Sequence, residues 1–407
     1  MGYWKQILME QSEKGYRYDD SKYVCVDCIT SEFIRVDIEK YSTDAPCSYC
    51  GKSPAAPISV VCDALSSAFH WSHTDPANVL MYDSAEGGYI GEVSDGYDMV
   101  MDTEEFTENT RLMCDVAGQF ADYQWTVKDP WGLSTIERLR LSWRGFCELI
   151  KHKTRYFFLQ SHRDDDSELT SAADMLDELG QHIVTLDLVS TMRKNADIIR
   201  ARIGDKGCEY RTVAELGPPP RTIALSPSRM SPPGIPMFYG ALEEETAIQE
   251  VASHSSGNVD LEKSVSIGYF RLNRDIRVVD FTSLPNAPSV YDVARRHNRD
   301  VIEFIHKFVR DIMRPVNSGK SAEHYLDYVP SQVVTEYFRY GLRSRFDLAI
   351  DGLIYPSAVV SAGHCMVLFV EAENCGPRDG KDRRDVEEIL SLVRVESRDL
   401  GAPSGAG

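Results

Sequence analysis

Residues 229–251 have the sequence RMSPPGIPMFYGALEEETAIQEV, and this stretch decides how the second half of the chain folds. Its first eight residues contain three prolines, which lack a backbone N–H and fix their own φ, so a helix is excluded there. The proline-rich segment leads through Tyr239 into Ala241. The run Glu244–Ser253 then favours a short helix, with Glu250 four residues after Thr246, close to the helix face that would be buried.

Downstream of this stretch, runs typical of strands and helices are mixed. The sequence predicts strands at 265–272, 276–281, 348–355 and 366–371, and helices at 290–313 and 331–342. Such a mixture predicts an α+β fold in which antiparallel strands dominate.

Upstream, residues 57–203 are predicted to be mainly helical. Ser134 followed by Glu137 is typical of a helix start, and the apolar spacing after it indicates a helix that faces a core. A second amphipathic helix is predicted over 172–189. Seven of the nineteen prolines lie between residues 218 and 236, so the domain boundary is predicted at Gly217–Pro220.

Near the N-terminus, four cysteines have the spacing of a metal site. Cys25 and Cys28 form one C-x2-C pair, and Cys47 and Cys50 form a second after eighteen residues. Four thiolates that converge on one point suit a tetrahedral zinc with no open position, so the metal would be structural. The intervening segment is expected to fold back as strands, and Gly51 suits a positive φ at the end of the second pair.

Composition excludes several classes of function. The chain of 407 residues has 43% hydrophobic residues and a formal net charge of −19, which fits a globular protein that repels nucleic-acid phosphates over most of its surface. A membrane span is not expected, because the sequence contains no apolar run of about 18 residues. A secretory signal is not expected either, because charged residues interrupt the N-terminal segment throughout. We therefore expect a cytoplasmic protein. A glycine-rich dinucleotide-binding fingerprint, H-E-x-x-H and G-x-S-x-G are absent from the sequence.

Four ordered motifs between residues 222 and 372 resemble the RES family of NAD-degrading domains. They are R-x-S-P-x-G-x-P-x-x-Y from Arg229 to Tyr239, E-T-A-x-x-E-V ending at Val251, Y-x-P-S-Q-x-x-x-E-Y from Tyr328 to Tyr337, and D-G-x-x-Y-P-S ending at Ser357. The resemblance implies an ADP-ribosyltransferase-like domain that breaks the nicotinamide–ribose bond of NAD.

By the same resemblance, Arg229, Tyr239, Glu250 and Ser357 are the functional residues. Glu250 would stabilise positive charge on the ribose, Arg229 would grip the diphosphate, Tyr239 would hold nicotinamide or ribose, and Ser357 would donate a positioning hydrogen bond. One departure stands out, because the family's Gly-Gly-x-Asn is replaced by Ala362-Gly363-His364-Cys365. An asparagine contact to the substrate is therefore expected to be missing.

Without the motifs, each of these residues has an ordinary structural explanation. Arg229 would be a loop arginine in a surface ion pair and Glu250 a solvated helix carboxylate. Tyr239 would be a core or rim residue, and Ser357 would cap a turn.

The N-terminal half resembles, less strongly, the zinc-bearing HEPN-like domain that precedes some RES domains. Arg155 and His162 fit the Arg-x6-His pattern of HEPN ribonucleases. Together the patterns predict a zinc-binding knuckle over 1–55, a helical HEPN-like domain over 56–216, a RES domain over 217–395 and a disordered tail over 396–407.

The leading hypothesis is an NAD phosphorylase or glycohydrolase that acts as an intracellular toxin or defence effector, with inorganic phosphate as a co-substrate and an antitoxin or regulatory protein as a partner. A homo-oligomer is left open. The alternatives are a protein ADP-ribosyltransferase, and an HEPN-type ribonuclease or interaction protein with an inactive RES domain.

Overall fold

A computed structural model describes residues 3–17, 19, 21–158, 168–253, 263–314, 324–377 and 388–399. The chain divides into two compact units, one made of Met1–Glu137 with Asn286–Asp300, and the other of Arg138–Pro285 with Val301–Gly407. Among the described residues, no helix combines the length and the apolar content that crossing a membrane requires.

The first unit contains short helices and strands. They are α1 (Tyr3–Lys14), β1 (Tyr23–Val24), α2 (Glu32–Tyr41), β2 (Ala56–Pro57), α3 (Ser59–Ser72), β3 (His73–Thr74), β4 (Tyr82–Asp83), β5 (Gly88–Tyr89), β6 (Ser94–Asp95), α4 (Gly96–Asp102), α5 (Thr110–Phe120) and β7 (Gln124–Val127). The segment between the two cysteine pairs forms α2, so the prediction that it folds back as strands is wrong. Ile34 and Ile38, four residues apart, are both buried, and this helical spacing decides the local structure.

Helices α2, α3, α4 and α5 all contribute side chains to the core of the first unit. The helices α3 and α5 bury residues four apart, Val61, Leu65 and Phe69 on one and Leu112, Val116 and Phe120 on the other. At the start of α5, the side chain of Asn109 caps the helix by accepting a hydrogen bond from the N–H of Leu112 at 3.0 Å. Tyr291, from the segment 286–300, is buried in the same core.

The second unit contains the larger elements. They are α6 (Thr135–His152), which begins at the end of the first unit, α7 (Ala172–Thr185), β8 (Val189–Met192), β9 (Asp197–Asp205), α8 (Val213–Leu216), β10 (Phe238–Ala241), α9 (Glu244–Ser253), β11 (Lys263–Leu272), β12 (Ile276–Asp280), α10 (Arg299–Met313), α11 (His324–Glu336), a π-helical turn (Tyr337–Gly341), α12 (Leu342–Phe346), β13 (Gly352–Pro356), β14 (His364–Leu368), β15 (Cys375–Pro377) and β16 (Leu390–Asp399).

Nine of these strands form one sheet in the order β15-β16-β11-β9-β10-β14-β13-β12-β8. Within the described residues, only the junctions β12–β13 and β15–β16 are parallel. The predicted α+β class with a mainly antiparallel sheet is therefore confirmed. Strand alternation sends Phe238 into one core with Phe270 and Met366, while Ala241 on the other face packs beneath Ala247 of α9.

Several predicted boundaries differ from the observed elements. Strands β8 and β9 belong to the sheet, so the region 57–203 is less helical than predicted, and the composition change at 217–220 does not coincide with the limit between the compact units. Residues 290–298 do not form the first part of a helix. Residues 396–399 complete β16, paired with 264–267 of β11, rather than starting a disordered tail.

Gly352 allows β13 to approach β14 closely, and its replacement tests that packing. A Cβ at this position would overlap the carbonyl oxygen of Val367, which the backbone cannot move without breaking the strand pairing. We expect Gly352→Ala to lower the free energy of unfolding by about 2 kcal/mol, measured by urea denaturation.

The control is Gly145→Ala in α6. An added Cβ there has no other atom within 4 Å, and alanine favours a helix by about 1 kcal/mol over glycine, so this variant should be at least as stable as the parent. Equal unfolding midpoints for the two variants would show that the close approach at Gly352 carries no constraint.

Candidate functional site

The loop that carries Arg229 is held by α11. The side chain of Gln332 donates to the carbonyl of Ser228 at 2.8 Å, and the hydroxyl of Ser331 donates to the carbonyl of Arg229 itself. Met230, the residue after Arg229, is also held by α11, because the hydroxyl of Thr335 donates to its sulfur at 3.1 Å. The P-S-Q part of the third motif therefore fixes the backbone of the first motif.

The half-buried side chain of Arg229 and the phenol of Tyr239 both have partners within the chain. The guanidinium of Arg229 donates to the carbonyl oxygen of Met313. The hydroxyl of Tyr239 accepts from the N–H of Met230 at 3.2 Å and shares a hydrogen bond of 3.0 Å with Ser231. Burial raises the pKa of Tyr239, so its phenol stays protonated at neutral pH. Tyr239 thus ties β10 to the loop of Arg229.

Glu250, near the end of α9, receives two side-chain hydrogen bonds on one oxygen. Its Oε1 accepts from the hydroxyl of Ser357 at 2.5 Å and from the thiol of Cys365 at 3.3 Å. Ser357 lies just after β13, and Cys365 lies in β14. Among the described residues, Oε2 of Glu250 has no hydrogen-bond partner, so this oxygen is available to a substrate.

The direction of both hydrogen bonds is settled by chemistry. The hydroxyl oxygen of Ser357 accepts from the N–H groups of Val359 and Val360 at 3.1 and 3.0 Å, so its own proton points at Glu250. Burial and the charge of Glu250 raise the pKa of Cys365, so the thiol stays protonated and acts as a donor. Cys365 is therefore not set up as a nucleophile.

The charges of Arg229 and Glu250 both act on the buried phenol of Tyr355. Burial raises the pKa of Tyr355 far above its usual value, the neighbouring Cys365, Tyr239 and Glu250 raise it further, and Arg229 lowers it. Strand β10, whose Tyr239 holds the loop of Arg229, pairs with β14, whose Cys365 contacts Glu250. Arg229 and Glu250 thus lie in one neighbourhood of the second unit. Within the described residues, no hydrogen bond or ion pair joins these two side chains directly.

Arg200 in β9 is a residue that the sequence patterns missed. Its guanidinium lies 5.3 Å from the centre of the Phe238 ring, its Nη1 is buried without a hydrogen-bond partner among the described residues, and burial lowers its pKa to about 10. Arg200 lies on the sheet face of Phe238, opposite to the face that packs against α9. An arginine between Ile199 and Ala201 in an apolar run was the available signal.

The residues that replace the family's Gly-Gly-x-Asn pack against the start of α9. The backbone N–H and the Nδ1 of His364 contact the carboxylate of Glu243 at 2.8 and 2.6 Å. Burial alone would raise the pKa of Glu243, but the hydrogen bonds from His364 and Thr246 outweigh it and lower that pKa. These two contacts fix the strand end from which Cys365 reaches Glu250.

In the first unit, the four predicted metal ligands converge. The sulfur atoms of Cys25, Cys28, Cys47 and Cys50 all lie within 4.8 Å of one another. Contacts of 3.3 Å between Cys25 and Cys50 and 3.8 Å between Cys28 and Cys47 agree with the separation of about 3.8 Å between thiolates bound tetrahedrally to zinc. Gly51 has φ of 78°, which confirms the predicted positive torsion. The cluster could therefore hold zinc with no coordination position left open.

The Arg-x6-His match at Arg155 and His162, on which the ribonuclease alternative depends, stays a prediction. Arg155 is exposed, and its guanidinium donates to the carbonyl of Lys151 at 3.4 Å. His162 lies outside the described residues.

Two protein-family models match the chain. The model described as HEPN/RES N-terminal domain 1 matches residues 40–164, and the model described as RES domain matches residues 201–388. Both predicted resemblances are therefore confirmed. Arg229, Tyr239, Glu250 and Ser357 fall inside the RES match, as does most of β9. Neither a curated protein nor a solved structure gives a significant match.

The cysteine cluster predicts a measurable link between metal and stability. We expect the purified chain to hold one zinc ion. A strong chelator, or the substitution Cys25→Ser, should lower the Tm of the first melting transition by more than about 5 °C, because metal binding then no longer contributes to the free energy of folding. Elemental analysis and differential scanning fluorimetry give both quantities.

Cys114→Ser is the matched control, since Cys114 is exposed in the same unit and lies outside the cluster. A chain that contains no stoichiometric metal and melts at the same temperature with and without chelator would contradict the zinc assignment.

Proposed function

Because residues 201–388 belong to the RES domain family, which indicates an enzyme acting on NAD, we propose that this chain cleaves the nicotinamide–ribose bond. The observation that carries the proposal is the carboxylate of Glu250, which two donors hold by Oε1 while Oε2 has no hydrogen-bond partner among the described residues. Such a preorganised carboxylate suits the stabilisation of positive charge that develops on a sugar.

The chemical role of Glu250 is electrostatic. As the bond between the ribose C1″ and the nicotinamide nitrogen breaks, its electron pair leaves with nicotinamide and the sugar becomes an oxocarbenium-like cation. A fixed carboxylate beside that cation contributes about 3–4 kcal/mol when water is excluded. Ser357 and Cys365 position the carboxylate, so little reorganisation is needed during the reaction.

The role of Arg229 is to bind the diphosphate. It offers a planar guanidinium on a loop braced by α11. Such a guanidinium can donate two parallel hydrogen bonds to phosphate oxygens. Tyr239 positions the Arg229 loop, and its ring face is a candidate contact for nicotinamide or ribose.

Three acceptors are chemically open to the ribosyl cation. Nicotinamide is released in each case. Attack by inorganic phosphate gives ADP-ribose 1″-phosphate, attack by water gives ADP-ribose and a proton, and attack by a protein side chain gives ADP-ribosylated protein and the proton that this side chain loses. We propose phosphorolysis or hydrolysis as the main reaction, with protein ADP-ribosylation as the alternative. Loss of NAD would make the chain an intracellular toxin or defence effector, for which an antitoxin or regulatory protein is the expected partner.

The first unit is proposed to have a structural or regulatory role, with zinc as a structural metal. The ribonuclease alternative depends on Arg155 and His162. It would require RNA cleavage that survives substitutions at Glu250 and disappears with Arg155→Ala.

Glu250→Gln tests the proposed function. The amide keeps the shape of the side chain but removes the negative charge, so we expect nicotinamide release to fall by at least about a hundredfold with the Tm unchanged. Release is measured from NAD with and without phosphate, and phosphate dependence distinguishes phosphorolysis from hydrolysis.

Glu245→Gln is the control, because Glu245 is an exposed carboxylate on the same helix. Normal NAD turnover in the Glu250 variant would remove the carboxylate from the mechanism. Intact NAD in the parent chain, together with RNA cleavage, would favour the ribonuclease alternative.

The hydrogen bond from the thiol of Cys365 to Glu250 can be tested separately. Cys365→Ala removes one donor to Glu250 and should lower kcat by about three- to tenfold, the value of one hydrogen bond of about 0.7–1.4 kcal/mol, whereas Cys365→Ser keeps a donor and should retain most activity.

Cys208→Ala, at an exposed cysteine of the same unit, should behave as the parent chain. If Cys365→Ala and Cys365→Ser have the same kcat and KM, hydrogen bonding by the thiol does not position the carboxylate.

A further inference from the structure

A cavity of about 730 Å³ lies between α6, α10 and α11 in the second unit. Its volume is in the range of cavities that hold a nucleotide-sized ligand. Arg229, Tyr239, Glu250 and Ser357 do not line it, so it is separate from the residues of the proposed reaction. All of its lining residues belong to one compact unit.

The charge of the cavity is opposite to that of the whole chain. Five basic side chains line it against two acidic ones, in a protein whose formal net charge is −19. Lys151 is paired with Asp327 at 2.7 Å, and Lys307 contacts Asp311 at 3.3 Å. These pairs account for both carboxylates, so the remaining positive charge belongs to arginines.

Three arginines supply that excess charge. Arg140 and Arg144 lie one turn apart on exposed positions of α6, and Arg314 follows α10. In the part of the chain that the structure describes, no carboxylate lies within ion-pair distance of any of the three. Guanidinium groups spaced four residues apart on one helix face can contact two oxygens of a single phosphate chain.

The inner wall of the cavity is apolar and neutral. Trp143 and Ile312 line it and are largely buried. The thiol of Cys147 also lines it, and burial raises the pKa of this thiol to about 12, so it adds no negative charge at neutral pH. A ligand with a charged end and a flat apolar end would match these two surfaces.

Two of the helices that line the cavity, α10 and α11, also hold the loop of Arg229. Ser331 lines the cavity, and its hydroxyl donates to the carbonyl of Arg229. Ile312 lines the cavity as well, and the next residue, Met313, accepts the hydrogen bond from the Arg229 guanidinium. A ligand in the cavity would therefore contact the elements that hold this arginine.

We propose that the cavity between α6, α10 and α11 binds a ligand that carries a diphosphate on a nucleoside. The arginines of α6 and Arg314 contact the phosphate oxygens, and the base lies toward Trp143. Two sources share this chemistry: a separate nucleotide that binds in addition to NAD, and the ADP half of the NAD substrate, in which case these arginines and not Arg229 hold the diphosphate of NAD. The site itself does not depend on the proposed cleavage of NAD.

The test measures ADP binding to the full chain by isothermal titration calorimetry. The double variant Arg140→Gln/Arg144→Gln should weaken ADP binding at least tenfold. The double variant Arg310→Gln/Arg343→Gln, at exposed arginines of α10 and α12 outside the cavity, should bind ADP as the parent does. Circular dichroism checks that each variant is folded, and the two single variants replace the double variant if it is not.

A measurement of NAD binding distinguishes the two sources of the diphosphate. Binding of NAD is measured in the Glu250→Gln background, where the substrate is not consumed. Equal weakening of NAD and ADP by the α6 variant identifies the ADP half of the substrate, whereas loss of ADP binding alone identifies a separate nucleotide. Both results support the site, and neither requires that NAD be cleaved.

Two results would overturn the proposal. The parent chain could show no ADP binding, or ADP affinity could be the same in the α6 variant and in the control while Arg229→Gln abolishes it. The second result would place the diphosphate at the Arg229 loop alone. An inert Glu250→Gln variant that still binds ADP would leave the cavity site standing, so failure of the proposed function and failure of this inference are distinguishable.

Discussion

The double hydrogen bond to Oε1 of Glu250 is the interaction on which the proposed chemistry depends. It joins the C-terminal part of α9 to the end of β13 and to β14. A carboxylate on a helix surface would ordinarily be solvated and free to change rotamer. Here the donors come from a sheet whose strand pairing is fixed, so the position of Oε2 is set by the fold rather than by a bound ligand.

The loop of Arg229, on the other side of the proposed site, is also held by contacts within the fold. A proline-rich loop has few backbone donors of its own, and its carbonyls need partners when they are buried. Gln332 and Ser331 supply those partners from α11. The residues of the third motif therefore have a physical role in holding the first motif, and none of them needs to touch a substrate.

Local patterns were sufficient for some elements and insufficient for others. The helix α9 has the bounds that its spacing predicts, and the four cysteines converge as their spacing indicates. The contact between Glu250 and Ser357 spans 107 residues of sequence, and only the motif resemblance could suggest it. Neither Cys365 as a donor nor Arg200 as a buried cation was predicted, because each depends on how neighbouring strands meet.

The failed prediction at residues 290–298 has a different cause, and it bears on what counts as a domain. The apolar residues of this segment suggested the first turns of a helix, but Tyr291 is buried in the core of the first unit and its hydroxyl donates to the carbonyl of Glu104 at 2.8 Å. Arg296 donates to the carbonyl of Ser67 at 3.0 Å, and its guanidinium lies 5.2 Å from the ring centre of Trp71.

These contacts mean that the first unit is completed by a segment from within the RES match. A fragment limited to residues 201–388 would expose Tyr291, at a cost of about 2 kcal/mol or more for this side chain alone, and Arg296 would lose its acceptor at Ser67. The first unit would in turn lose part of its core. The family match and the compact units therefore divide this chain at different residues. The RES match contains Arg229, Tyr239, Glu250 and Ser357, but it also contains a segment that belongs to the core of the first unit.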